Sequence, residues 1–307
     1  MTSRRDILQL AAATSMLAPF AGFSTPAMAQ DGPLFRFGVV ADPQYSPVPP
    51  NLTLQRYYSN SLWKLSSAIT EFNKEDLAFV VTLGDIIDRG YESYAHVLPL
   101  YDQLRHPRFF LLGNHDYSVG GDYLGSVLRT AGMQKSYYDF TGGGWRFVVL
   151  DGNDVSLFST PVGSEHRRLA AEKIDGMKKA GAANAQVYNG TLSEAQFIWL
   201  EATLAKAEAA GERTVVLGHY PIFPANEANL WDDERLVKVL TARANVVAYF
   251  NGHNHKGNYG EVGGKHFLNF CGMVDTPDTT AWSVVEVFAD RLVIRGNGRE
   301  PNRTLKI

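Results

Sequence analysis

Five short polar clusters carry the side chains with which this chain could do chemistry: Asp42-Pro43-Gln44, Gly84-Asp85, Gly113-Asn114-His115-Asp116, Gly218-His219 and Gly252-His253-Asn254-His255. Carboxylate, amide and imidazole groups are the donors that hold hard or borderline divalent cations. Taken singly, each cluster is weak, because a Gly-Asp is an ordinary turn and a Gly-His an ordinary loop pair. His253 and His255 are two apart, which puts them on the same side of an extended segment and suits chelation. What gives the set meaning is position: each cluster directly follows a short apolar run.

Those runs predict the elements that must bring residues 42 to 255 together. Residues 35–41, 78–83 and 109–112 read as strands, with helices predicted over 53–73 and 92–105 between them. This βαβαβ order favours a parallel sheet with crossover helices. A hairpin is predicted from 137–140 and 145–150 around Gly142-Gly143-Gly144. Ser193-Glu194-Ala195-Gln196 is a capping box that opens a helix running to residue 209. Strands at 214–217 and 246–250 bracket a helix over 233–242, and 267–271, 282–288 and 291–295 are predicted as antiparallel strands. Residues 153–189, polar with a helical patch over 166–180, read as a surface insertion overhanging the site. Ligands of open α/β sheets bind beyond the carboxyl ends of the strands, so clusters at five strand ends converge. Glycine ahead of four of them lets the backbone turn sharply and approach the site closely.

Composition narrows the partners. The 307 residues include 29 basic and 32 acidic side chains, for a formal net charge of -3. No basic excess points to nucleic acid or an anionic membrane surface. Bound metal ions would supply locally the positive field that an anionic substrate needs. The single cysteine, Cys271, excludes an intrachain disulfide and a Cys-rich zinc site, and reads as a small buried hydrophobe. No Gly-x-Ser-x-Gly elbow supports a serine hydrolase.

Residues 1–29 read differently from the rest. Arg4-Arg5 precedes an apolar, Ala-rich stretch over 8–23 that closes on Ala27-Met28-Ala29. This resembles a twin-arginine export signal, which predicts Gln30 as the mature N-terminus, the twin-arginine machinery as a partner, and a periplasmic or secreted location. Pro19, Gly22 and Pro26 break the stretch, which is also too short for a transmembrane helix. With no internal repeat or linker, residues 30–307 read as one catalytic domain.

Taken in order, the five clusters match an Asp-x-His/Gln, a Gly-Asp, a Gly-Asn-His-Asp/Glu, a Gly-His and a Gly-His-x-His. The chain thereby resembles the calcineurin-like metallophosphoesterases over most of 35–303. The resemblance implies an α/β fold, a four-layer αββα sandwich of two mixed sheets flanked by helices, with two divalent metal ions at the strand ends. Asp42, Gln44, Asp85 and His255 would hold one ion, and Asp85, Asn114, His219 and His253 the other, with Asp85 bridging. Two cations held roughly 3.5–4 Å apart clamp a phosphoryl oxygen and acidify a shared water that attacks phosphorus in line. His115, not itself a ligand, would stabilise charge on the phosphoryl or leaving oxygen. Asp116 either orients His115 or points away from it.

Gln44 stands where most of the family carries histidine, and an amide oxygen suits manganese or magnesium better than zinc. Manganese is therefore expected, with iron as the main rival. The stretch 37–45 is similar to the manganese-dependent ADP-ribose/CDP-alcohol diphosphatases. So are Arg56-Tyr57-Tyr58-Ser59-Asn60-Ser61-Leu62, Gly84-Asp85-Ile86-Ile87-Asp88, the stretch from Asn189-Gly190 through Trp199-Leu200, that from His253 through Gly257-Asn258-Tyr259, and the tail 296–303. That resemblance implies cleavage of the pyrophosphate link in nucleoside diphosphate-X compounds such as ADP-ribose and CDP-choline. Tyr45, Tyr57 and Trp231 are the expected substrate contacts, by stacking on a base or ring. A broad phosphodiesterase or phosphomonoesterase with the same centre is the alternative. A non-catalytic scaffold would lack ligands, and none is missing here.

Overall fold

The computed structural model describes residues 32–307; the expected export signal and Gln30 lie outside the described residues. In chain order the first elements are β1 (Phe35–Val40), α1 (Ser61–Phe72), β2 (Val80–Leu83), α2 (Ser93–Tyr101), β3 (Arg108–Leu111) and α3 (Val127–Thr130). The hairpin β4 (Tyr138–Gly142) and β5 (Trp145–Val149) follows, then β6 (Val155–Ser156), α4 (Glu165–Lys179), β7 (Gly190–Thr191) and α5 (Glu194–Ala209). The rest comprises β8 (Thr214–Leu217), α6 (Asp233–Thr241), β9 (Val246–Asn251), β10 (Asn258–Val262) and β11 (Lys265–Asn269). The chain closes with β12 (Ala281–Val287), β13 (Arg291–Gly298) and β14 (Arg303–Lys306).

Two six-stranded sheets result, ordered β14-β13-β12-β1-β2-β3 and β10-β11-β9-β8-β5-β4. Both are mixed. In the first sheet β1, β2 and β3 are parallel and β12 to β14 antiparallel; in the second β5, β8, β9 and β11 are parallel, with antiparallel β4 and β10 at the edges. Period-two alternation divides the apolar side chains. Phe37, Val39, Val81 and Leu83 face Phe147, Val149, Val215, Leu217 and Phe250 between the sheets. Val40, Val80 and Phe110 face outward onto Leu65, Ile69 and Phe72 of α1 and Val97 and Tyr101 of α2. Val148, Val216 and Tyr249 do the same toward Phe197, Leu200 and Leu204 of α5 and Leu236 and Leu240 of α6. The layers are therefore helix, sheet, sheet, helix.

Two expectations need correction. The helix predicted over 53–73 begins only at Ser61. Residues 51–57 instead make a strap, closed locally by a backbone pair between Asn51 and Arg56 and held by tertiary backbone bonds: Tyr57 N–H donates to Val274 O, Thr276 N–H donates to Gln55 O, and Arg56 bridges Asp275. Periodicity cannot register such partners, and Pro49-Pro50 just before disfavours helix. The segment predicted over 267–271 as antiparallel is β11, which runs parallel to β9 and antiparallel only to β10. The β10–β11 turn at Gly263-Gly264, both at positive φ, folds the chain back beside β9.

Candidate metal centre

The carboxyl ends of β1, β2 and β3 deliver Asp42, Gln44, Asp85 and Asn114 from one sheet; those of β8 and β9 deliver His219, His253 and His255 from the other. Carboxylate and imidazole atoms of Asp85, His219 and His253 lie within 4.8 Å of one another, as do those of Asp42, Asp85 and His255. Asp85 belongs to both groups. Asn114 joins the first, its Oδ1 lying 3.3 Å from His219 Nε2. Of the six non-glycine residues at positive φ among the described residues, four are Asp42, Gln44, Asp85 and His253. Backbone in this sparsely populated region is held there by its surroundings, and such strain concentrates at functional sites. The glycines ahead of the clusters make room: a Cβ on Gly113 would collide with Asp85 Oδ1 and the His219 ring, and one on Gly252 with Asp42 Oδ2.

Each histidine has one ring nitrogen committed outward. His219 Nδ1 lies 2.8 Å from Leu83 O, and His255 Nδ1 lies 2.8 Å from Asp275 Oδ1. His253 Nε2 lies 3.1 Å from Asn189 Oδ1, while Asn189 Nδ2 donates to the carbonyls of Asn184 and Glu227. An oxygen can only accept, so these nitrogens donate and the opposite nitrogens turn lone pairs inward. His253 Nδ1 and His219 Nε2 meet at 3.1 Å, an approach that requires a cation between them, a proton or a metal ion. Gln44 bears on the other ligand set. It is fully buried, and neither Oε1 nor Nε2 has a partner. Asp85 Oδ2 is likewise buried without one. Buried polar atoms are rarely left so, and a bound divalent ion would satisfy the two oxygens. The residues present thus fit a two-metal centre with the ligand sets expected for it.

Burial and neighbouring charges pull against each other across the cluster. Burial pushes Asp42 up. It does the same to Asp85, but His219 and His115 beside it override this and hold that carboxyl well below the usual range. Burial works against charge on His219, yet the Asp85 carboxylate carries it up to about 9, while burial and the His219 charge push His253 down.

His115 sits beside this cluster without belonging to it. Its backbone N–H donates to Asp85 Oδ1 at 2.8 Å, and its Nδ1 lies 3.0 Å from Asp88 O and 3.2 Å from Asp88 Oδ1. That leaves Nε2 for the cavity that the ring lines. Asp116 points away: its carboxylate accepts from the N–H groups of Gly113, Ile86 and Ile87 and from Tyr94 OH. It ties the β2 loop to the β3 loop, and Asp88 is the group that orients His115.

Asp85, Asn114, His253 and His255 open onto a cavity of about 490 Å³ whose wall includes Leu54, Arg56, His115, Tyr188, Glu227 and Lys256. None of the expected stacking residues lines it. Tyr45 is buried against α1 and α2 with its hydroxyl 2.9 Å from His96 Nδ1. Trp231 is buried under α4 among Ala170, Ile174 and Ala185, and its Nε1–H donates to Gln186 O. Tyr57 is half-buried in the strap, which presents its neighbour Arg56 to the cavity instead. The aromatic ring at the mouth is Tyr188, 5.7 Å from the His253 ring. The 153–189 segment thus reaches the site through its last two residues. Cys271 is buried, its thiol pushed up to about 12 by burial and by Glu300, which makes it inert.

Residues 35–257 match the family model for calcineurin-like phosphoesterases. The chain belongs to that family. Among calcineurin-like relatives, the manganese-dependent ADP-ribose/CDP-alcohol diphosphatase of Mus musculus is 30% identical, covering 92% of this chain and 96% of its own length. The Arabidopsis thaliana protein of the same name is 31% identical over 87% of this chain and 95% of its own. A dimetal phosphatase from Danio rerio superposes with a TM-score of 0.80 at 26% identity, covering 89% of this chain and 99% of that one. This calcineurin-like phosphoesterase is a metal-dependent phosphohydrolase.

Proposed function

We propose that this hydrolase cleaves the pyrophosphate bond of nucleoside diphosphate-X compounds such as ADP-ribose or CDP-alcohols, with manganese at both metal positions. The observation that carries the reading is the pairing of the Gln44-containing ligand set with two cations, Arg56 and Lys256, on the wall of the same cavity. Neither side chain has an ion-pair or hydrogen-bond partner among the described residues. The names of the relatives, matched over nearly their whole length, support the same substrate class.

When bound, the metals supply a local positive field and an acidified water. Gln44 and Asn114 would contribute oxygen donors that favour a hard ion, and Asp85 would serve both positions. His115, held by Asp88, directs Nε2 at the reacting phosphoryl group, where it donates a hydrogen bond as charge develops. Arg56 and Lys256 hold the second phosphate, which a monoester lacks. Tyr188 and Leu54 offer apolar surface to the organic group beyond it.

The test is a substrate panel on the metal-free protein reconstituted separately with manganese, iron, zinc and magnesium. ADP-ribose and CDP-choline should be turned over fastest, with manganese, releasing a nucleoside monophosphate. Faster hydrolysis of p-nitrophenyl phosphate or bis-p-nitrophenyl phosphate would favour the broader esterase, and full activity with zinc at both positions would refute the metal assignment. We also propose twin-arginine export to the periplasm or outside, directed by residues 1–29. An Arg4→Lys/Arg5→Lys double variant should then accumulate in the cytoplasm; unchanged fractionation would count against it.

A further inference from the structure

Lys64 is the one lysine among the described residues whose ammonium is sealed inside the protein, at 0% exposure on α1. Among the described residues no carboxylate lies within ion-pair distance of it. Its partners are four successive main-chain carbonyls: Met273 at 3.0 Å, Val274 at 3.3 Å, Asp275 at 2.8 Å and Thr276 at 2.6 Å. In extended chain successive carbonyls point to opposite sides, so four aimed at one point is an arrangement that needs a cation at its centre. Thr276 adopts a φ of 67° to complete it. Burying an ammonium is costly unless its donors are met, and here the carbonyls meet them.

The caged loop is also the loop that reaches the metal centre. Asp275 Oδ1 accepts a hydrogen bond from His255 Nδ1, and Val274 N–H donates to Asp42 O while Met273 N–H donates to Ala41 O. All these contacts lead to the ligand set of Asp42, Gln44, Asp85 and His255. Asn114, His219 and His253 receive none of them: the outward ring bonds of His219 and His253 go to Leu83 and Asn189, and the sets are linked here by the His253 backbone N–H, which donates to the Asp42 carboxylate. We propose that Lys64 is a positioning residue for one of the two metal positions: its ammonium acts as a tethered monovalent cation that sets the 273–276 loop so that Asp275 orients His255. The role presupposes the two-metal centre.

The test is a titration of metal-free protein with manganese, read by the electron paramagnetic resonance of free Mn²⁺, which needs no turnover. The wild type should bind two ions. Lys64→Met keeps the stem and removes the charge, and should weaken one position about tenfold while leaving the other unchanged, the lower end of the loss expected when a ligand's supporting partner is removed. Asp275→Asn, which keeps the cage, should weaken the same single position. In Lys64→Ala, added propylammonium should restore the lost affinity by occupying the vacated stem and cage. Equal weakening of both positions, an unchanged titration, or failure of both Lys64 variants to fold by circular dichroism would overturn the assignment in favour of a purely structural lysine. Fewer than two manganese ions on the wild type would instead refute the metal centre itself.

Discussion

Replacing His115 by alanine separates the chemistry of this site from its assembly. On the proposed ligand sets the imidazole contributes no ligand atom, and the one bond His115 makes to those sets, from its backbone N–H to Asp85 Oδ1, survives any side-chain change. Metal content should therefore stay at two ions. Losing the imidazole also deprives the buried Asp88 of one neighbour, but Arg89 Nε remains at 2.5 Å, so stability should fall by no more than about 1–2 kcal/mol. Removal of one preorganised donor from a developing oxyanion costs about 10²–10³ in kcat, or about 3–4 kcal/mol. Turnover of the preferred diphosphate should fall by that factor with KM little changed. Assays with esters of graded leaving-group acidity add a second dimension. If His115 protonates the departing oxygen, the deficit shrinks as the leaving group improves; if it stabilises the phosphoryl oxygen, the deficit is constant. Loss of bound metal, or turnover within tenfold of the wild type, would refute the role assigned to His115.

Three further outcomes follow from the geometry. Gly113→Ala places a methyl against Asp85 Oδ1 and the His219 ring, and should cost about 3 kcal/mol with loss of metal binding, seen in thermal melts and manganese titration; a stable variant binding two ions would contradict the packing. Arg56→Ala and Lys256→Ala should each raise KM for a diphosphate about tenfold while sparing a phosphomonoester, as Michaelis kinetics on both substrates would reveal. Burial, with Asp154 nearby, pushes Asp151 from 3.8 up to about 6, so the folded state holds this proton more tightly than the unfolded one. Stability contributed by the neutral form is present below about pH 4 and lost as pH rises through about 6, so metal-free Asp151→Asn should gain up to about 3 kcal/mol on the wild type across that window in urea unfolding; a constant difference would count against it.

Much of this was legible in the chain because the relevant signals are local. The apolar runs ending at residues 41, 83, 112, 217 and 250 mark strands whatever surrounds them, and a donor residue straight after a strand has little freedom to be elsewhere. What escaped notice acts across long separations. Asn189 reaches His253, Asp275 reaches His255, and Lys64 reaches the 273–276 carbonyls, none of which leaves a periodic or compositional trace. The helix drawn from Thr53 failed for the same reason, since backbone bonds to 274–276 outcompete helical ones in the strap. Tyr45 and Trp231 show the converse error: proximity in sequence to a ligand or a loop does not say which way a ring faces, and both face the core.

The division of ligands between the two sheets has a mechanical consequence. On the proposed ligand sets each metal position would draw on residues from both, Asp42, Gln44 and Asp85 with His255, and Asp85 and Asn114 with His219 and His253. A bound ion is then a rivet through a lap joint, and the halves cannot be prised apart at that end until it leaves. Loaded protein should resist heat in proportion to the logarithm of free metal concentration, and its unfolding should wait on metal release. Stripping the ions would leave the layers stacked but free to slide where they had been pinned.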